Sequence, residues 1–107
     1  MKKVSIYELE RRIRSRANRQ PRNSRTATLL KKGMPKTAQK FGEEAFELSI
    51  AAIQRNKKAV IRESADVFYH LLLVLKKSGV KLKDIERELA LRANGLAGNP
   101  KANRRGT

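Results

Sequence analysis

Four acidic side chains with helical spacing are the residues of this sequence that could act together chemically. Glu44 and Glu47 are three residues apart, and the same spacing recurs further along the chain. Glu63 and Asp66 form this second pair, and His70 follows four residues later. A step of three residues in an α-helix places two side chains about 60° apart around the axis and about 4.5 Å apart along it. Each acidic pair therefore lies on one face of its helix, and His70 shares the face of the second pair.

The turn between the two acid-bearing helices is short, which makes them antiparallel neighbours and lets their acidic faces meet. Four carboxylates in one crevice would repel each other, and some would protonate, unless a cation neutralised them. Magnesium suits such a site because it prefers oxygen ligands and commonly binds water and substrate phosphates as well. Zinc would more often bring cysteine or several histidines, and the chain has one histidine and no cysteine. The pattern predicts a magnesium site for phosphoanhydride hydrolysis; the alternative is that the acids are solvated or paired with the abundant cations.

The apolar and capping patterns predict how the acids are positioned. They indicate five helices and no strand, and thus an all-α, single-domain bundle with a central antiparallel helix pair that carries the acids. The first helix begins at Ser5, which has capping-box spacing with Glu8, and fades near Ala17 before a loop. The four later helices are predicted over 24–33, 36–55, 59–77 and 82–94, with a turn at Asn56 and Lys57. The helix over 59–77 is apolar on nearly every side, which predicts burial on most sides.

The composition excludes several classes of protein. Without cysteine, the chain has no disulfide, thiolate zinc site or cysteine nucleophile. Its N-terminus lacks the apolar run of a secretory signal, and its longest apolar stretch, Leu71 to Leu75, is too short to cross a membrane. We therefore expect a cytoplasmic protein with no membrane partner. The helical domain is predicted over residues 1–94, and the basic segment 95–107 is predicted to be a disordered tail.

The charge of the chain is strongly positive. Lys and Arg number 26 against 10 Asp and Glu, a net charge of +16, which favours anionic partners. Eight of the ten acids lie between Glu43 and Glu88, so the part of the chain that carries the acidic pairs differs from the rest. A basic helical module that binds nucleic acid, with structural acids, is one hypothesis for this charge. The sequence argues against it, because it has no recognisable binding motif and only five aromatic residues.

Longer segments around the acids resemble a known family. Ala38–Ala52 reads AQKFGEEAFELSIAA and Glu63–Leu75 reads ESADVFYHLLLVL, so that EExxE is followed by ExxD. With Ser24–Gly33 (SRTATLLKKG) and Gly79–Arg92 (GVKLKDIERELALR), they resemble the phosphoribosyl-ATP pyrophosphatases of histidine biosynthesis, which are all-α nucleotide pyrophosphohydrolases. The resemblance implies magnesium-dependent hydrolysis of phosphoribosyl-ATP to phosphoribosyl-AMP and pyrophosphate, and a homodimer. A second enzymatic hypothesis keeps the site but has another nucleoside triphosphate as the substrate.

The resemblance, together with the positions of the residues in the helices, indicates roles for individual residues. The family's metal ligands fall on Glu44, Glu47, Glu63 and Asp66. The candidates for catalysis are Glu43, Glu47 and His70. The candidates for substrate binding are Ser24, Thr26, Lys32 and Lys40.

Several of these roles have a structural alternative. Glu43 could be a surface acid, Lys40 a solvated lysine and Ser24 a helix cap. His70 lies among apolar residues, where a histidine is commonly a core residue or one that orients a carboxylate. Arg25 departs from the family's pattern, which often has an aromatic residue at this position.

Overall fold

The computed structural model describes residues 1–19 and 24–96, and these residues form five helices and no strand. The helices are α1 (Ile6–Arg19), α2 (Arg25–Lys31), α3 (Met34–Ile53), α4 (Lys57–Ser78) and α5 (Leu82–Ala93). The all-α class and the five helices predicted from the sequence are confirmed. Of the predicted disordered tail, only residues 95 and 96 fall within the described residues.

Side-chain caps determine where three of the helices begin. Ser5, Ser24 and Asn56 each precede a helix and accept a hydrogen bond at 3.1 Å from the backbone N–H three residues later. These bonds satisfy N–H groups that the first turn of a helix leaves without a partner. Because Asn56 is a cap, α4 begins at Lys57, which the sequence pattern wrongly assigns to the turn, and not at Ala59.

Left-handed backbone ends the two long helices. Gly79 has φ 72° at the end of α4, where the absence of a Cβ makes this conformation cheap. Arg55, which follows the C-cap residue Gln54 of α3, has φ 57°. This conformation costs a residue with a Cβ about 1–2 kcal/mol. The turn at Arg55 reverses the chain, so α3 and α4 form an antiparallel hairpin whose helices pack against each other more extensively than any other pair.

The hydrophobic core lies at the end of this hairpin that holds the C-terminal half of α4. Leu72, Leu73 and Leu75 of α4 are buried there together with Ile13 of α1 and Leu30 of α2. Full burial of such a side chain stabilises a fold by about 1.5–3 kcal/mol relative to exposure. These contacts hold α1 and α2 against α4.

The N-terminal half of α4 lacks this cover within residues 1–19 and 24–96. Ile61 is 71% exposed, and Phe68, at the middle of the helix, is still 52% exposed. The predicted burial of α4 on most sides is therefore correct for its C-terminal half and wrong for its N-terminal half, because α1 and α2 reach only the former. Despite these apolar residues, none of the helices in the described ranges is long and apolar enough to span a membrane.

The last helix, α5, is attached to the core by its N-terminus. A carboxylate oxygen of Glu10 in α1 accepts a hydrogen bond from the backbone N–H of Leu82 at 2.8 Å. Beyond this contact the apolar side chains of α5 are open to solvent, with Ile85 40% exposed and Leu89 58% exposed. The helix thus presents an apolar stripe with little cover.

Candidate metal centre

Three of the four acids predicted as metal ligands converge where α3 packs on α4. Glu44, Glu63 and Asp66 each offer one carboxylate oxygen, and these oxygens all lie within 4.8 Å of one another. Glu44 and Glu63 are half-buried, whereas Asp66 is exposed. Glu47, about one turn further along α3, is not part of this group at that distance. The group opens to solvent on the side of Asp66.

The crowding of negative charge shifts the ionisation of two of the acids. Burial raises the pKa of Glu44 most, and the charges of Glu47, Asp66 and Glu63 raise it further. Burial also raises the pKa of Glu63, as do the charges of Glu47 and Asp66, whereas Arg62 opposes the shift. Glu47 thus acts electrostatically on acids of both helices, so the four predicted ligands form one charged group although only three of them converge.

The donor set fits a divalent cation. Three carboxylate oxygens from two helices supply hard ligands on one side, and the exposed side of Asp66 leaves room for water and phosphate oxygens. A cation between the carboxylates would replace their mutual repulsion by attraction. Magnesium commonly binds in this way, through a few carboxylates together with water and phosphates.

Glu43, the neighbour of Glu44 in the sequence, has a different environment. It accepts a hydrogen bond from the side-chain amide of Gln39 at 2.9 Å and lies 3.4 Å from the ammonium group of Lys40. These two partners lower the pKa of Glu43, with the hydrogen bond from Gln39 as the largest cause. The predicted catalytic candidate Glu43 and the predicted substrate-binding candidate Lys40 are therefore paired with each other on the exposed side of α3.

His70 is a core residue in this structure, with 1% of its surface exposed. Its ring packs edge-on against Tyr69 with centroids 5.1 Å apart, and its Nδ1 atom has no hydrogen-bond partner among the described residues. Burial lowers the pKa of His70 most, and the charges of Arg25 and Lys40 lower it further, against the opposite effects of two acids, Asp66 and Glu43. The imidazole is therefore held neutral next to the acidic group.

The predicted substrate-binding residues of the α2 segment have structural contacts. Ser24 is buried and caps α2 as described above. Thr26 is buried and its hydroxyl shares a hydrogen bond of 2.6 Å with the hydroxyl of Tyr69. Lys32 is the exposed C-terminal cap of α2.

Sequence spacing missed a contact between Arg25 and Tyr69, a residue of α4 that lies about one helical turn from Asp66. The guanidinium carbon of Arg25 lies 5.7 Å from the centre of the Tyr69 ring. Both residues stand next to predicted site residues in the sequence, Arg25 before Thr26 and Tyr69 before His70. Their contact could not be foreseen, because it joins helices that are far apart in the chain.

A family model described as phosphoribosyl-ATP pyrophosphohydrolase matches residues 6–93, a range that includes both acidic pairs. The chain belongs to this family. A phosphoribosyl-ATP pyrophosphatase of Azorhizobium caulinodans is 43% identical to it over 102 residues, which cover 95% of this chain and 94% of that protein.

Two further relatives carry the same name. The protein of Methylobacterium nodulans is 43% identical over 99 residues, which cover 91% of this chain and 92% of that protein. The protein of Rhizobium meliloti is 42% identical over 104 residues, which cover 97% of each chain. The similarity thus extends over nearly the full length of these relatives and is not confined to the acidic motif.

Proposed function

We propose that this chain hydrolyses phosphoribosyl-ATP to phosphoribosyl-AMP and pyrophosphate in histidine biosynthesis, in the cytoplasm and with Mg²⁺ as its cofactor. The observation that carries the proposal is the convergence of Glu44, Glu63 and Asp66 in a chain of the phosphoribosyl-ATP pyrophosphohydrolase family. When bound there, with Glu47 as a further ligand, Mg²⁺ would polarise a phosphoryl oxygen, lower the pKa of a water and screen the charge of the leaving pyrophosphate.

The acids of α3 have separate tasks in this proposal. Glu44 binds the cation together with the two acids of α4. Glu47 lies beside this group, is exposed and is not in an ion pair within the described part of the chain, so one of its oxygens can bind the cation while the other accepts a proton from the attacking water. Glu43 accepts a hydrogen bond from Gln39 and is paired with Lys40, which favours the interpretation of Glu43 as a surface acid and not as the catalytic base.

The test is the release of pyrophosphate from phosphoribosyl-ATP by the purified chain, with Mg²⁺ and with a chelator in its place. We expect turnover only with the metal. In Glu44→Gln the carboxylate is replaced by an amide of the same shape, which should lower turnover by about a thousandfold or more, because a catalytic metal contributes several kcal/mol. Glu88→Gln is the matched control, since Glu88 lies on α5 and pairs at 3.0 Å with Arg92.

Two results would count against the proposal. Turnover that persists in the chelator would show that the reaction does not need a metal. Full activity of Glu44→Gln would show that the acidic group is not the active site. A panel of ordinary and non-standard nucleoside triphosphates in the same assay tests the substrate. A higher kcat/KM for any of them than for phosphoribosyl-ATP would favour the hypothesis of another nucleotide pyrophosphohydrolase.

We also propose that the chain forms a homodimer through the exposed apolar residues of the hairpin. On α3, Phe46, Ile50 and Ile53 recur at steps of four and three and are 67%, 39% and 80% exposed. On α4, Ile61 and Phe68 are exposed as described above. Apolar surfaces of this kind mark interfaces in soluble proteins. The mass of the chain in solution, measured by light scattering, should be twice the 12.2 kDa of the monomer, and a monomeric mass would contradict the homodimer.

A further inference from the structure

A guanidinium group lies over an aromatic ring of α4 that is about one helical turn from Asp66 of the candidate metal centre. Arg25 is the first residue of α2 and is exposed, and its guanidinium carbon lies 5.7 Å from the centre of the Tyr69 ring. The ring is itself immobilised, because the Tyr69 hydroxyl bonds to Thr26 at 2.6 Å and the His70 ring packs against its edge. An arginine over a fixed aromatic ring gains a cation–π attraction and loses little further freedom when it binds a ligand.

The position of Arg25 relates it to the acids. Tyr69 lies three residues after Asp66 on α4, which is about 4.5 Å along the helix axis. The charges of Arg25 and Lys40 and of the acids Asp66 and Glu43 all act on the pKa of His70, the buried residue next to Tyr69. The ring under Arg25 is thus about one helical turn from Asp66, a distance that an extended nucleotide bound at the metal centre can span.

The guanidinium of Arg25 is available to such a ligand. Within residues 1–19 and 24–96 it forms no ion pair, whereas the nearby Lys40 is paired with Glu43. A guanidinium offers five N–H donors in a planar fork that matches the oxygens of a phosphate group. Three carboxylates would repel an anionic nucleotide, and a permanent positive charge at their side offsets that repulsion.

We propose that Arg25 binds a phosphate group of the substrate next to the candidate metal centre. The inference rests on the proposed function and adds to it a binding residue on α2. The substrate offers two sources of phosphate, since phosphoribosyl-ATP carries a triphosphate and a separate phosphate on its second ribose. The guanidinium chemistry is the same for both, and the experiment separates them.

The experiment compares Arg25→Ala with Lys31→Ala, which removes one positive charge from the other, exposed end of the same helix. Arg25→Ala should raise KM for phosphoribosyl-ATP by about tenfold or more, as expected for the loss of a hydrogen bond to a charged group, with a smaller change in kcat. Arg25→Lys should recover only part of the loss, because an ammonium group lacks the planar fork. Lys31→Ala should stay within about twofold of the unchanged chain.

Calorimetric binding without turnover supplies a second readout and identifies the phosphate. If Arg25 contacts the phosphate of the second ribose, Arg25→Ala weakens the binding of phosphoribosyl-AMP and leaves the binding of inorganic pyrophosphate and of AMP, which carries the α-phosphate alone, unaffected. If it contacts the triphosphate, the binding of AMP is weakened by the loss of an α-phosphate contact, or the binding of pyrophosphate with Mg²⁺ by the loss of a β- or γ-phosphate contact. Either result supports the proposal.

Equal effects of Arg25→Ala and Lys31→Ala on KM and on the dissociation constants measured by calorimetry would overturn the proposal. Arg25 would then act only through its contribution to the overall positive charge. Circular dichroism of each variant establishes that it is folded. Failure of the proposed function has a different signature, since the unchanged chain would then show no turnover of phosphoribosyl-ATP at all.

Discussion

The two halves of α4 belong to one uninterrupted helix but have opposite surroundings. In the C-terminal half, Leu72 and Leu73 are 2% and 1% exposed under α1 and α2. In the N-terminal half, Ile61 is 71% exposed and the acids Glu63 and Asp66 face Glu44 across the hairpin. The C-terminal half contributes apolar burial to the stability of the fold. The N-terminal half places like charges together, which lowers the stability of the metal-free protein.

This difference indicates how a small chain accommodates a charged site. Repulsion between carboxylates is tolerable only if other contacts fix the helix that carries them. The core at the C-terminal half of α4 supplies those contacts, and the helix transmits the fixed position to the acids through its own backbone hydrogen bonds. Variants in the two halves should therefore affect different properties of the protein.

The largest expected effect is on activity and comes from the N-terminal half. Glu63→Gln should lower kcat/KM by about a thousandfold or more, since it removes a carboxylate from the proposed metal ligands. The melting temperature of the metal-free variant should not fall, because a like charge is removed from a crowded group. Pyrophosphate release and calorimetric melting in a chelator measure the two effects. A variant that is both inactive and unstable would show that Glu63 supports the fold.

The next effect is on stability and compares Leu73→Ala with Ile61→Ala, which delete side chains of similar size from the two halves. Leu73→Ala should lower the free energy of unfolding by about 2–5 kcal/mol, because a cavity replaces a side chain that is 1% exposed. Ile61→Ala should cost less than about 1 kcal/mol in dilute solution. Urea unfolding at several protein concentrations measures both.

The same titration tests the proposed homodimer. The loss in Leu73→Ala should not depend on protein concentration, whereas that in Ile61→Ala should grow as dimers form. Equal losses in dilute solution would contradict the difference in burial between the two halves.

A smaller effect concerns pH. Since the pKa of Glu44 is raised in the folded protein, the folded state binds its proton more tightly than the unfolded state between the ordinary value of 4.5 and the raised value. The stability of the metal-free protein therefore loses a contribution as pH rises through this window, and the penalty is complete above it. Glu44→Gln lacks the penalty, so the stability difference between variant and unchanged chain should grow from pH 4.5 to neutral pH.

The metal provides the control for this pH effect. Saturating Mg²⁺ should cancel the advantage of Glu44→Gln at neutral pH, because it stabilises the unchanged chain by binding to the folded state. Urea unfolding in chelator and in Mg²⁺ gives both curves. A difference that shrinks as pH rises would show that neither burial nor the neighbouring carboxylates penalise the charged form of Glu44 in the folded protein.

The smallest effect lies in the turn that joins the two acid-bearing helices. Arg55→Gly should raise the free energy of unfolding by up to about 1 kcal/mol, since glycine adopts φ 57° without a steric penalty. Part of the gain is offset by the greater freedom of glycine in the unfolded chain. Thermal unfolding measures the change, and Gly79→Ala at φ 72° after α4 should have the opposite sign.

Local signals in the sequence predicted most of the fold. Ser5, Ser24 and the glycine at position 79 act as caps in the structure as expected from their residue types. The convergence of Glu44 with Glu63 and Asp66 was also predictable, because a short turn leaves two long helices few ways to pack. The magnesium ion and the individual catalytic roles remain predictions.

The features that could not be predicted depend on contacts between distant parts of the chain. Which half of α4 is covered depends on the reach of α1 and α2, and periodicity along α4 contains no information on that. Glu47 shares a face with Glu44, yet its carboxylate does not join the converging oxygens, whereas Glu63 and Asp66, with the same spacing, both do. The pairing of Thr26 with Tyr69 joins residues that are 43 positions apart.

The hairpin of α3 and α4 also has a consequence for folding kinetics. Its two helices are consecutive in the chain and are joined by a tight turn, so the carboxylates meet through contacts that are local in sequence. Local contacts form early, because little chain entropy is lost in closing them. The acidic group would then assemble before α5 docks, and the Mg²⁺ concentration during refolding should affect the folding rate and not only the final stability.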